Sequence, residues 1–424
     1  MNYQQILSKL AMIMAGVVSA HGQTLTGWHF IDDPTQANSN RFITRDLTPD
    51  GRILVGEMNL TSSYAQGAIW RPDGGLTYLS PPFQLPHVSA IRICDDEETL
   101  IGEFRNTSNG PLAFYRGRIG DPLQPLFNIG PYVNSGHVAS KDGSLVAANA
   151  YLGNEGDSST LFYWTQETGV RFLEGQSWFC PGCLLVRDTT RDGMFLVGNI
   201  DCAAVWWGRD GRAYAFPDTD GGFGVCGSAT AVSQTGRFVL GVRYVSGGDR
   251  VLLWTRQTSG AFVAEDLGRP TEFPVPSPRF VSEDGRVIAG AGSMSPVRPT
   301  NPGSFIWTRS AGMMEASEFF RSRGVVIPDG WQMYDISAMS ENGRIFAGLG
   351  KMLVSPYRQK GVVIYLPDPC IADFNEDGGV DGADVEAFFV PWQAGDPIAD
   401  VNQDGGVDGG DVEAFFGAWE AGGC

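Results

Sequence analysis

Residues 48–57, TPDGRILVGE, decide the fold of this chain, because variants of this segment recur six more times along its 424 residues. Most copies have an Asp-Gly, Thr-Gly or Asn-Gly turn, which is followed by an apolar run that contains a small residue. The turn residues are Gly51, Glu97, Gly143, Gly193, Gly236, Gly285 and Gly343. The small residues, five positions after each turn, are Gly56, Gly102, Ala148, Gly198, Gly241, Gly290 and Gly348. A period of this kind is typical of repeat architectures with one structural unit per repeat.

Each copy is followed by an aliphatic run that ends in an aromatic residue, 14 to 22 residues beyond the turn. These aromatic residues are Trp70, Tyr115, Trp164, Trp207, Trp254, Trp307 and Tyr365. Asp-Gly between two apolar runs predicts a hairpin turn, because Gly readily adopts positive φ. A Gly within a strand indicates the close approach of a neighbour or of a ring packed over it. Several units continue into a further strand-like segment. We therefore predict that each unit forms a four-stranded meander, which is the size of one propeller blade.

The seventh unit lacks a fourth strand of its own, since it ends at GVVIYLPD, residues 361–368. An unassigned strand-like segment, residues 26–33, precedes the first unit. We expect this segment to complete the seventh blade, which closes the ring and removes the exposed strand edges of an open array. The predicted fold class is therefore all-β, a seven-bladed β-propeller of four-stranded blades over residues 23–367.

The repeat also resembles a known group of proteins. The pattern S-x-D-G-x-x-x-x-G, paired with A-x-W-x-x-x-G-G-x-x-x-L as in QGAIWRPDGGLTYLS at residues 66–80, is similar to that of the HAF-type extracellular repeat proteins. The resemblance extends over about residues 44–367. It implies a secreted β-propeller and transfers no catalytic residues.

The first 22 residues are typical of a secretory signal peptide, with Lys9 before a short apolar run at residues 10–20. A buried N-terminal helix is the alternative interpretation. No later segment approaches 18 uninterrupted apolar residues, so we predict no membrane span and a secreted, extracellular or cell-surface-associated protein.

The net charge of −18 argues against a nucleic-acid partner, and 42% hydrophobic residues exclude a wholly disordered chain.

The C-terminal segment, residues 368–424, has a different pattern: DFNEDGGVDGADVEAFFVPW is followed 27 residues later by DVNQDGGVDGGDVEAFFGAW. Each copy begins a twelve-residue loop with oxygen-bearing side chains at positions 1, 3, 5, 9 and 12 and a glycine carbonyl at position 7. Such hard oxygen donors are the ligands of Ca²⁺ in EF-hand loops, so we predict two bound Ca²⁺ ions. The ligands of the first ion are predicted to be Asp373, Asn375, Asp377, Gly379, Asp381 and Asp384. Those of the second are predicted to be Asp400, Asn402, Asp404, Gly406, Asp408 and Asp411.

Most of the acidity of the chain belongs to this segment. Residues 371–424 contain 13 Asp and Glu and no Lys or Arg, and removing these charges from the net −18 leaves −5 for the rest. An acidic, solvated loop is the alternative interpretation, and its duplication argues against it. Asp replaces the usual Glu at position twelve, and its shorter side chain predicts a modest affinity for calcium.

Each loop is followed by apolar residues at the i, i+3, i+4, i+7 spacing of one helical face. They are Val385, Phe388, Phe389 and Trp392 in the first copy and Val412, Phe415, Phe416 and Trp419 in the second. We expect the two faces to pack together as a small core, with partner binding as a secondary role for part of that surface.

A duplicated loop with a single following helix resembles a type I dockerin, here of the subclass that ends in Gly-Gly-Cys. The resemblance implies calcium-dependent docking onto a cohesin-like partner. Positions ten and eleven, Gly382-Ala383 and Gly409-Gly410, lack the hydroxyl groups usual in cellulosomal dockerins. The expected partner is therefore a cohesin-like or another cell-surface protein.

Seven cysteines in an exported chain favour disulfides, and the odd number leaves one free thiol, which we expect to be the isolated Cys94. The sequence leaves open how Cys180, Cys183, Cys202 and Cys226 pair. Cys180-Pro-Gly-Cys183 is interpreted as part of a structural disulfide rather than as a redox or zinc motif. We also predict a Cys370–Cys424 disulfide, which would constrain the small C-terminal module.

No motif for a nucleophile elbow, a phosphate-binding loop or a metalloprotease helix is present, and His29, His87 and His137 are interpreted as structural.

The favoured function is a secreted, non-catalytic propeller that binds carbohydrate or protein and is displayed through a calcium-dependent dockerin-like module. The alternative is a carbohydrate-active enzyme, a glycoside hydrolase or a lyase, acting in polysaccharide degradation. A glycosidase would need two carboxylates about 5 to 10 Å apart in the central channel. A third hypothesis is a structural surface-layer component.

Overall fold

Seven four-stranded antiparallel meanders, one for each sequence repeat, form the blades of a β-propeller in a computed structural model of the chain. The structure describes residues 25–31, 41–61, 64–79, 87–105, 112–128, 133–151, 159–175, 184–220, 226–270, 275–293, 303–354, 358–367, 370–375, 379–402 and 406–421. The predicted signal peptide, residues 1–22, lies outside this part of the chain. None of the described helices has the length and apolar character that a membrane crossing requires.

The first four blades follow the chain in order, and in each the first strand faces the centre of the ring. Blade 1 consists of β2 (Arg41–Leu47), β3 (Leu54–Thr61), β4 (Tyr64–Arg71) and β5 (Gly75–Tyr78). Blade 2 consists of β6 (His87–Ile93), β7 (Thr99–Arg105), β8 (Leu112–Arg118) and β9 (Gln124–Asn128). Blade 3 consists of β10 (Val133–Ala139), β11 (Leu145–Tyr151), β12 (Ser159–Thr165) and β13 (Gly169–Phe172). Blade 4 consists of β14 (Leu184–Thr189), β15 (Phe195–Ile200), β16 (Ala203–Gly208) and β17 (Ala213–Ala215).

The last three blades continue this arrangement. Blade 5 consists of β18 (Gly227–Val232), β19 (Phe238–Arg243), β20 (Arg250–Arg256) and β21 (Phe262–Gly268). Blade 6 consists of β22 (Val275–Val281), β23 (Val287–Ser293), β24 (Gly303–Thr308) and β25 (Gly312–Glu315). Blade 7 consists of β26 (Trp331–Met339), β27 (Ile345–Met352), β28 (Gln359–Tyr365) and β1 (Gly27–Ile31).

The ring is closed by its N-terminal strand. β1 pairs antiparallel with β28, from Gly27 opposite Tyr365 to Ile31 opposite Gly361, and completes the seventh blade as predicted. Residues 32–33 of the predicted strand lie outside the described part of the chain. Because the outer strand of this blade comes from the start of the chain, the last blade is held to the first residues of the propeller by a full ladder of hydrogen bonds.

The repeated turn is built from hydrogen bonds between its own side chains and backbone. In the fourth copy, Thr190 Oγ1 donates to Asp192 Oδ1 at 2.8 Å, and the same carboxylate oxygen accepts from the backbone N–H of Met194 at 3.0 Å. Thr190 Oγ1 also accepts from the backbone N–H of Phe195 at 3.2 Å. Gly193 adopts a φ of 64°, the left-handed region that the turn requires. The hydroxyl, the carboxylate and the glycine of the repeat therefore each have a defined role in the turn.

The small residue of the second strand is required by the inner strand beside it. A Cβ on Gly198 would lie 1.9 Å from the carbonyl oxygen of Leu185, where a bulge shifts the register between Val186 and Asp188. The same conflict with an inner-strand carbonyl would arise at the other glycines of this set: Gly56, Gly102, Gly241, Gly290 and Gly348. The predicted close approach is thus mainly one of backbone to backbone.

Aromatic rings contribute to this contact in some blades only. A Cβ on Gly241 would lie 2.5 Å from the Trp254 ring, and one on Gly102 would lie 2.2 Å from the Tyr115 hydroxyl oxygen. In blade 3 the register shift lies earlier, between Asn134 and His137, and Ala replaces Gly at position 148. Alanine therefore occurs in the blade whose register shift precedes the residue opposite this position, whereas in the other blades a shift directly follows that residue.

A short helix, α1 (Ala316–Ser322), lies between blades 6 and 7 and was not predicted from the sequence. Its Phe319 and Phe320 are buried in a cluster that includes Phe346 of β27. This inserted helix accounts for the longest interval of the repeat, between the sixth and seventh turns.

The C-terminal segment forms two helices, α2 (Gly382–Gln393) and α3 (Gly409–Glu420), with a 3-10 turn (Pro397–Ala399) between them. Phe388 and Phe415 are fully buried and stack with their ring centroids 4.5 Å apart and nearly parallel planes. Their predicted neighbours on the two apolar faces pack around this pair. The prediction that the two faces form one small core is confirmed.

Candidate functional site

In each predicted calcium loop, the side chain at the twelfth position accepts hydrogen bonds from described backbone N–H groups earlier in the loop. Asp384 is fully buried, and its two carboxylate oxygens accept from the backbone N–H groups of Asn375 at 3.0 Å and Asp381 at 2.9 Å. The twelfth residue therefore holds the third and ninth residues of its loop, and it also forms a capping box at the start of α2.

The second loop repeats this geometry. Asp411 is fully buried and accepts from the backbone N–H groups of Asn402 at 3.3 Å and Asp408 at 2.8 Å. Asp408 in turn accepts from the N–H of Gly410 at 2.7 Å, which starts α3. Two loops with the same hydrogen bonds indicate that the duplicated sequence specifies one local structure.

The donor set of both loops consists of carboxylate, carboxamide and carbonyl oxygens, which fits the preference of Ca²⁺ for hard ligands. The predicted ligands at position five, Asp377 and Asp404, lie outside the described residues. Within the described part of the chain, no group of three or more His, Cys, Asp or Glu side chains is arranged to hold a metal ion. The two calcium sites therefore stay a prediction.

The C-terminal module contacts the propeller through an ion pair and a ring contact. Arg237, in the turn between β18 and β19, donates to both carboxylate oxygens of Asp396 at 2.9 and 2.7 Å. The guanidinium of Arg286 lies 4.4 Å from the centroid of the Phe374 ring. Burial by itself would raise the pKa of Asp396, but hydrogen bonds from Arg237 outweigh it and hold the pKa below its ordinary value. These contacts were not predicted from the sequence, because all four residues lie in turns or loops, where no local sequence pattern identifies a distant partner.

The first strands of the blades enclose a central channel with a cavity of about 270 Å³. Arg45, Arg187 and Arg279 line it, and each is the extra residue of a bulge in its strand, at β2, β14 and β22. A bulge re-aims a side chain relative to the regular strand. These arginines were not predicted from the sequence, because no local motif marks a bulge.

A buried charge network lies at the wall of this channel. Lys141 Nζ donates to both carboxylate oxygens of Asp46 at 3.0 and 2.9 Å and to the carbonyl oxygen of Leu47 at 3.0 Å. Arg92 lies between the two acidic residues of the network, with Nη1 3.4 Å from Asp46 and Nη2 3.7 Å from Asp188. The charges of these carboxylates are thus compensated by cations from other blades, Arg92 of blade 2 and Lys141 of blade 3.

Asp188 is in addition held by backbone donors. It accepts from the N–H groups of Val232 at 3.0 Å and Thr189 at 2.9 Å. Burial raises the pKa of Asp188 above its ordinary value, and the positive charge of Arg92 opposes this effect. The arrangement fixes the carboxylate in place as a link between blades 4 and 5.

One mouth of the channel is crossed by Arg191, which lies in the repeated turn of blade 4. Its guanidinium donates to Asp95 of blade 2 at 2.8 Å and to Glu341 of blade 7 at 2.6 Å. Glu283 accepts from both the backbone N–H and the hydroxyl of Thr235. Each of the four carboxylates that line the cavity therefore accepts a hydrogen bond from the protein: Asp46, Asp188, Glu283 and Glu341.

Arg187 differs from the other channel arginines. Arg45 pairs with Glu57 and Arg279 pairs with Asp335, whereas no described residue forms an ion pair with Arg187. Burial lowers the pKa of Arg187, and the nearby Tyr244 opposes this. Among the described residues that line the cavity, Arg187 is therefore an arginine without an ion-pair partner.

The histidines and cysteines are placed as follows. His29 lies in β1 beside the Tyr365 ring, and its Nε2 is 2.9 Å from the Thr26 carbonyl oxygen, in keeping with a structural role. His87 begins β6 and His137 lies in β10. Cys94 is a buried free thiol, as predicted, and burial raises its pKa to about 12.

The other cysteine predictions are tested only in part. Cys180 and Cys183 lie outside the described residues, and so does Cys424, so that the Cys370–Cys424 disulfide stays a prediction. Cys202 and Cys226 are free thiols in the structure.

No family model matches this sequence, and no curated protein matches it. Several solved structures are similar in fold. An oligogalacturonate lyase from Vibrio parahaemolyticus superposes with a TM-score of 0.52 at 12% identity, covering 82% of this chain and 99% of the other. An oligogalacturonate lyase in complex with manganese gives a TM-score of 0.54 at 10% identity, covering 82% and 95%. TolB from Acinetobacter baumannii gives 0.41 at 14% identity, covering 72% and 67%.

At these identities the similarity concerns the fold alone. The two lyase structures are matched over nearly their whole length by 82% of this chain. The observed sheet order shows that the larger part of the protein is a seven-bladed β-propeller.

Proposed function

We propose that this chain is a secreted propeller that binds a ligand without converting it and is displayed through a calcium-loaded, dockerin-like C-terminal module. The observation that carries the proposal is that each of the four described carboxylates that line the channel already accepts a hydrogen bond from the protein. A glycosidase needs one carboxyl group that exchanges a proton and a second that attacks the sugar or activates water. Asp46, fixed by Lys141 at 3.0 and 2.9 Å, and Glu341, fixed by Arg191 at 2.6 Å, are poorly suited to either task.

Among the described channel residues, the guanidinium of Arg187 lacks an ion-pair partner, and we expect an anionic ligand to pair with it. A guanidinium suits the carboxylate of an acidic sugar or the side chain of an acidic peptide, because it donates two parallel hydrogen bonds. Since the fold resembles that of oligogalacturonate lyases, an oligogalacturonate is a suitable anionic probe.

The ligand prediction is tested by titrating oligogalacturonate into the intact protein by calorimetry. Arg187→Ala is expected to raise Kd about tenfold or more, since a hydrogen bond to a charged group contributes about 1.5–3 kcal/mol. Arg212→Ala is the matched control, because Arg212 lies in an exposed turn of the same blade. An affinity that is equal in all three proteins would exclude Arg187 as the ligand-binding residue.

The calcium prediction is tested by titrating Ca²⁺ into the apo protein. Two sites are expected, and Asp384→Ala and Asp411→Ala are each expected to remove one of them, because the twelfth residue organises its loop. Glu386→Ala and Glu413→Ala are matched controls, since these exposed carboxylates lie on the following helices. A wild-type protein that shows no heat of calcium binding contradicts the proposal.

The partner of the module is tested by a pull-down from the extracellular and cell-surface fractions of the source organism. The proposal expects a cohesin-like or other surface protein to be captured in calcium and released by a chelator. The Asp384→Ala, Asp411→Ala double variant should capture nothing under either condition.

A second candidate function is a polysaccharide lyase. It is favoured by the extent of the match to the oligogalacturonate lyase structures, one of which contains manganese. The test is incubation with oligogalacturonate and manganese, followed by the ultraviolet absorbance of an unsaturated product. Product formation that Arg187→Ala abolishes would replace the binding proposal with an enzymatic one.

A further inference from the structure

We propose that Cys202 and Cys226 form a disulfide that ties the fourth blade to the fifth. Cys202 lies in the turn between β15 and β16, and Cys226 directly precedes β18, the first strand of the next blade. The sequence left the pairing of these cysteines open. The inference does not depend on the ligand or on the calcium module.

The backbone already holds the two residues side by side. Ala203 and Cys226 form an antiparallel bridge, and the N–H of Gly227 donates to the carbonyl oxygen of Cys202 at 2.7 Å. Residues offset by one position across such a bridge have Cα atoms about 6 Å apart. This separation is within the range that a disulfide spans without movement of the backbone.

The side chains meet as well. The thiol of Cys226 is hydrogen-bonded to that of Cys202, and both residues are exposed, so that an oxidant can reach them. The hydrogen bond to Cys202, with a smaller effect of burial, raises the pKa of Cys226. An activated redox cysteine has a lowered pKa instead, so the pair fits a structural disulfide rather than a catalytic one.

The oxidation requires a partner disulfide, such as oxidised glutathione or an oxidising oxidoreductase of the exported compartment. The thiolate of one cysteine attacks a sulfur of this oxidant, forms a mixed disulfide and releases one thiol. The second cysteine then loses its proton, attacks the mixed disulfide and releases the other thiol. Two electrons and two protons thus pass from the protein to the oxidant.

The test is a peptide map of the full chain after treatment with oxidised glutathione and alkylation, without reduction. Trypsin places Cys202 in the peptide 192–209 and Cys226 in the peptide 213–237, while Cys94 falls in 93–105 and both Cys180 and Cys183 fall in 172–187. We expect a linked product of 192–209 and 213–237, lighter than their sum by two hydrogen atoms, which separates on reduction. Cys94 in 93–105 should carry no link.

The variants separate this pairing from others. Cys202→Ser and Cys226→Ser should each remove the linked product, whereas Cys94→Ser and the Cys180→Ser, Cys183→Ser double variant should retain it. The oxidised wild type should melt about 3 °C or more above its reduced form. The proposal is overturned if either peptide is linked to 172–187, if both thiols remain alkylatable after oxidation, or if bound zinc protects them.

Discussion

Glu97 occupies the position in the second repeat where the other six copies have glycine, and it adopts the same left-handed conformation, with a φ of 54°. A side chain in this region is strained by about 1 kcal/mol or more, because its Cβ approaches the backbone. The turn still forms, since Asp96 accepts from the N–H groups of Glu98 at 3.1 Å and Thr99 at 2.7 Å. Local hydrogen bonds therefore impose the turn even without the preferred residue.

Glu97→Gly is expected to raise the free energy of unfolding by about 0.5 kcal/mol, because relief of the strain exceeds the added entropy of the unfolded chain. Gly193→Ala should lower the free energy of unfolding by about 2 kcal/mol or more. Its Cβ would lie 2.7 Å from the Cβ of Leu145, and residue 193 has a φ of 64°, which strains any residue other than glycine. Thermal melts of the two variants check this pair. A Glu97→Gly protein that melts below the wild type would contradict the argument from strain.

At the scale of elements, the N-terminal strand closes the ring. β1 covers the edge of β28 with five paired residues, and its Ile31 is buried in the cluster where blade 7 meets blade 1. Without this strand, the N–H and C=O groups of β28 face solvent or another molecule.

Removal of residues 1–31 is expected to lower the melting temperature and to produce oligomers through the exposed edge of β28. Size-exclusion chromatography and a thermal melt measure both effects. Removal of residues 1–24 is the matched control, because it leaves the paired residues in place. A monomer of wild-type stability after the longer truncation would show that closure does not depend on β1.

At the scale of the whole molecule, the pair of Arg237 and Asp396 joins the propeller to the C-terminal module. The two side chains are each about one-third exposed and form two hydrogen bonds at 2.9 and 2.7 Å. Because the folded pKa of Asp396 is lowered, its contribution is present above the ordinary pKa of an Asp and is lost as the pH falls through the lowered value. The contact is therefore acid-sensitive and intact at neutral pH.

Arg237→Ala is expected to increase hydrogen exchange of the backbone around Asp396 at neutral pH, while the exchange of the propeller strands stays unchanged. The wild type should approach the exchange of the variant only when the pH falls below the ordinary range of an Asp pKa. Arg212→Ala serves again as the control, since Arg212 lies in an exposed turn. Identical exchange in Arg237→Ala and wild type at neutral pH would show that the module is not held by this pair.

Sequence patterns are sufficient to predict the number of blades, the closure by the N-terminal strand and the packing of the two C-terminal helical faces. Each of these depends on a few adjacent residues, such as Asp192 and Gly193 in a turn, or on the period of apolar residues along a strand or helix. Local hydrogen bonds and side-chain periodicity repeat wherever the residues do, so the pattern could be identified without a structure.

It is visible only in the folded protein which charges pair in the channel, where α1 is inserted, and where the C-terminal module lies. Lys141 meets Asp46 from 95 positions away, and Arg191 reaches Glu341 across 150 positions. Such partners have no fixed spacing in the sequence, because the curvature of the ring and the bulges of its first strands bring them together. The repeat therefore specifies the propeller, whereas the chemistry of its channel depends on the residues that differ between repeats.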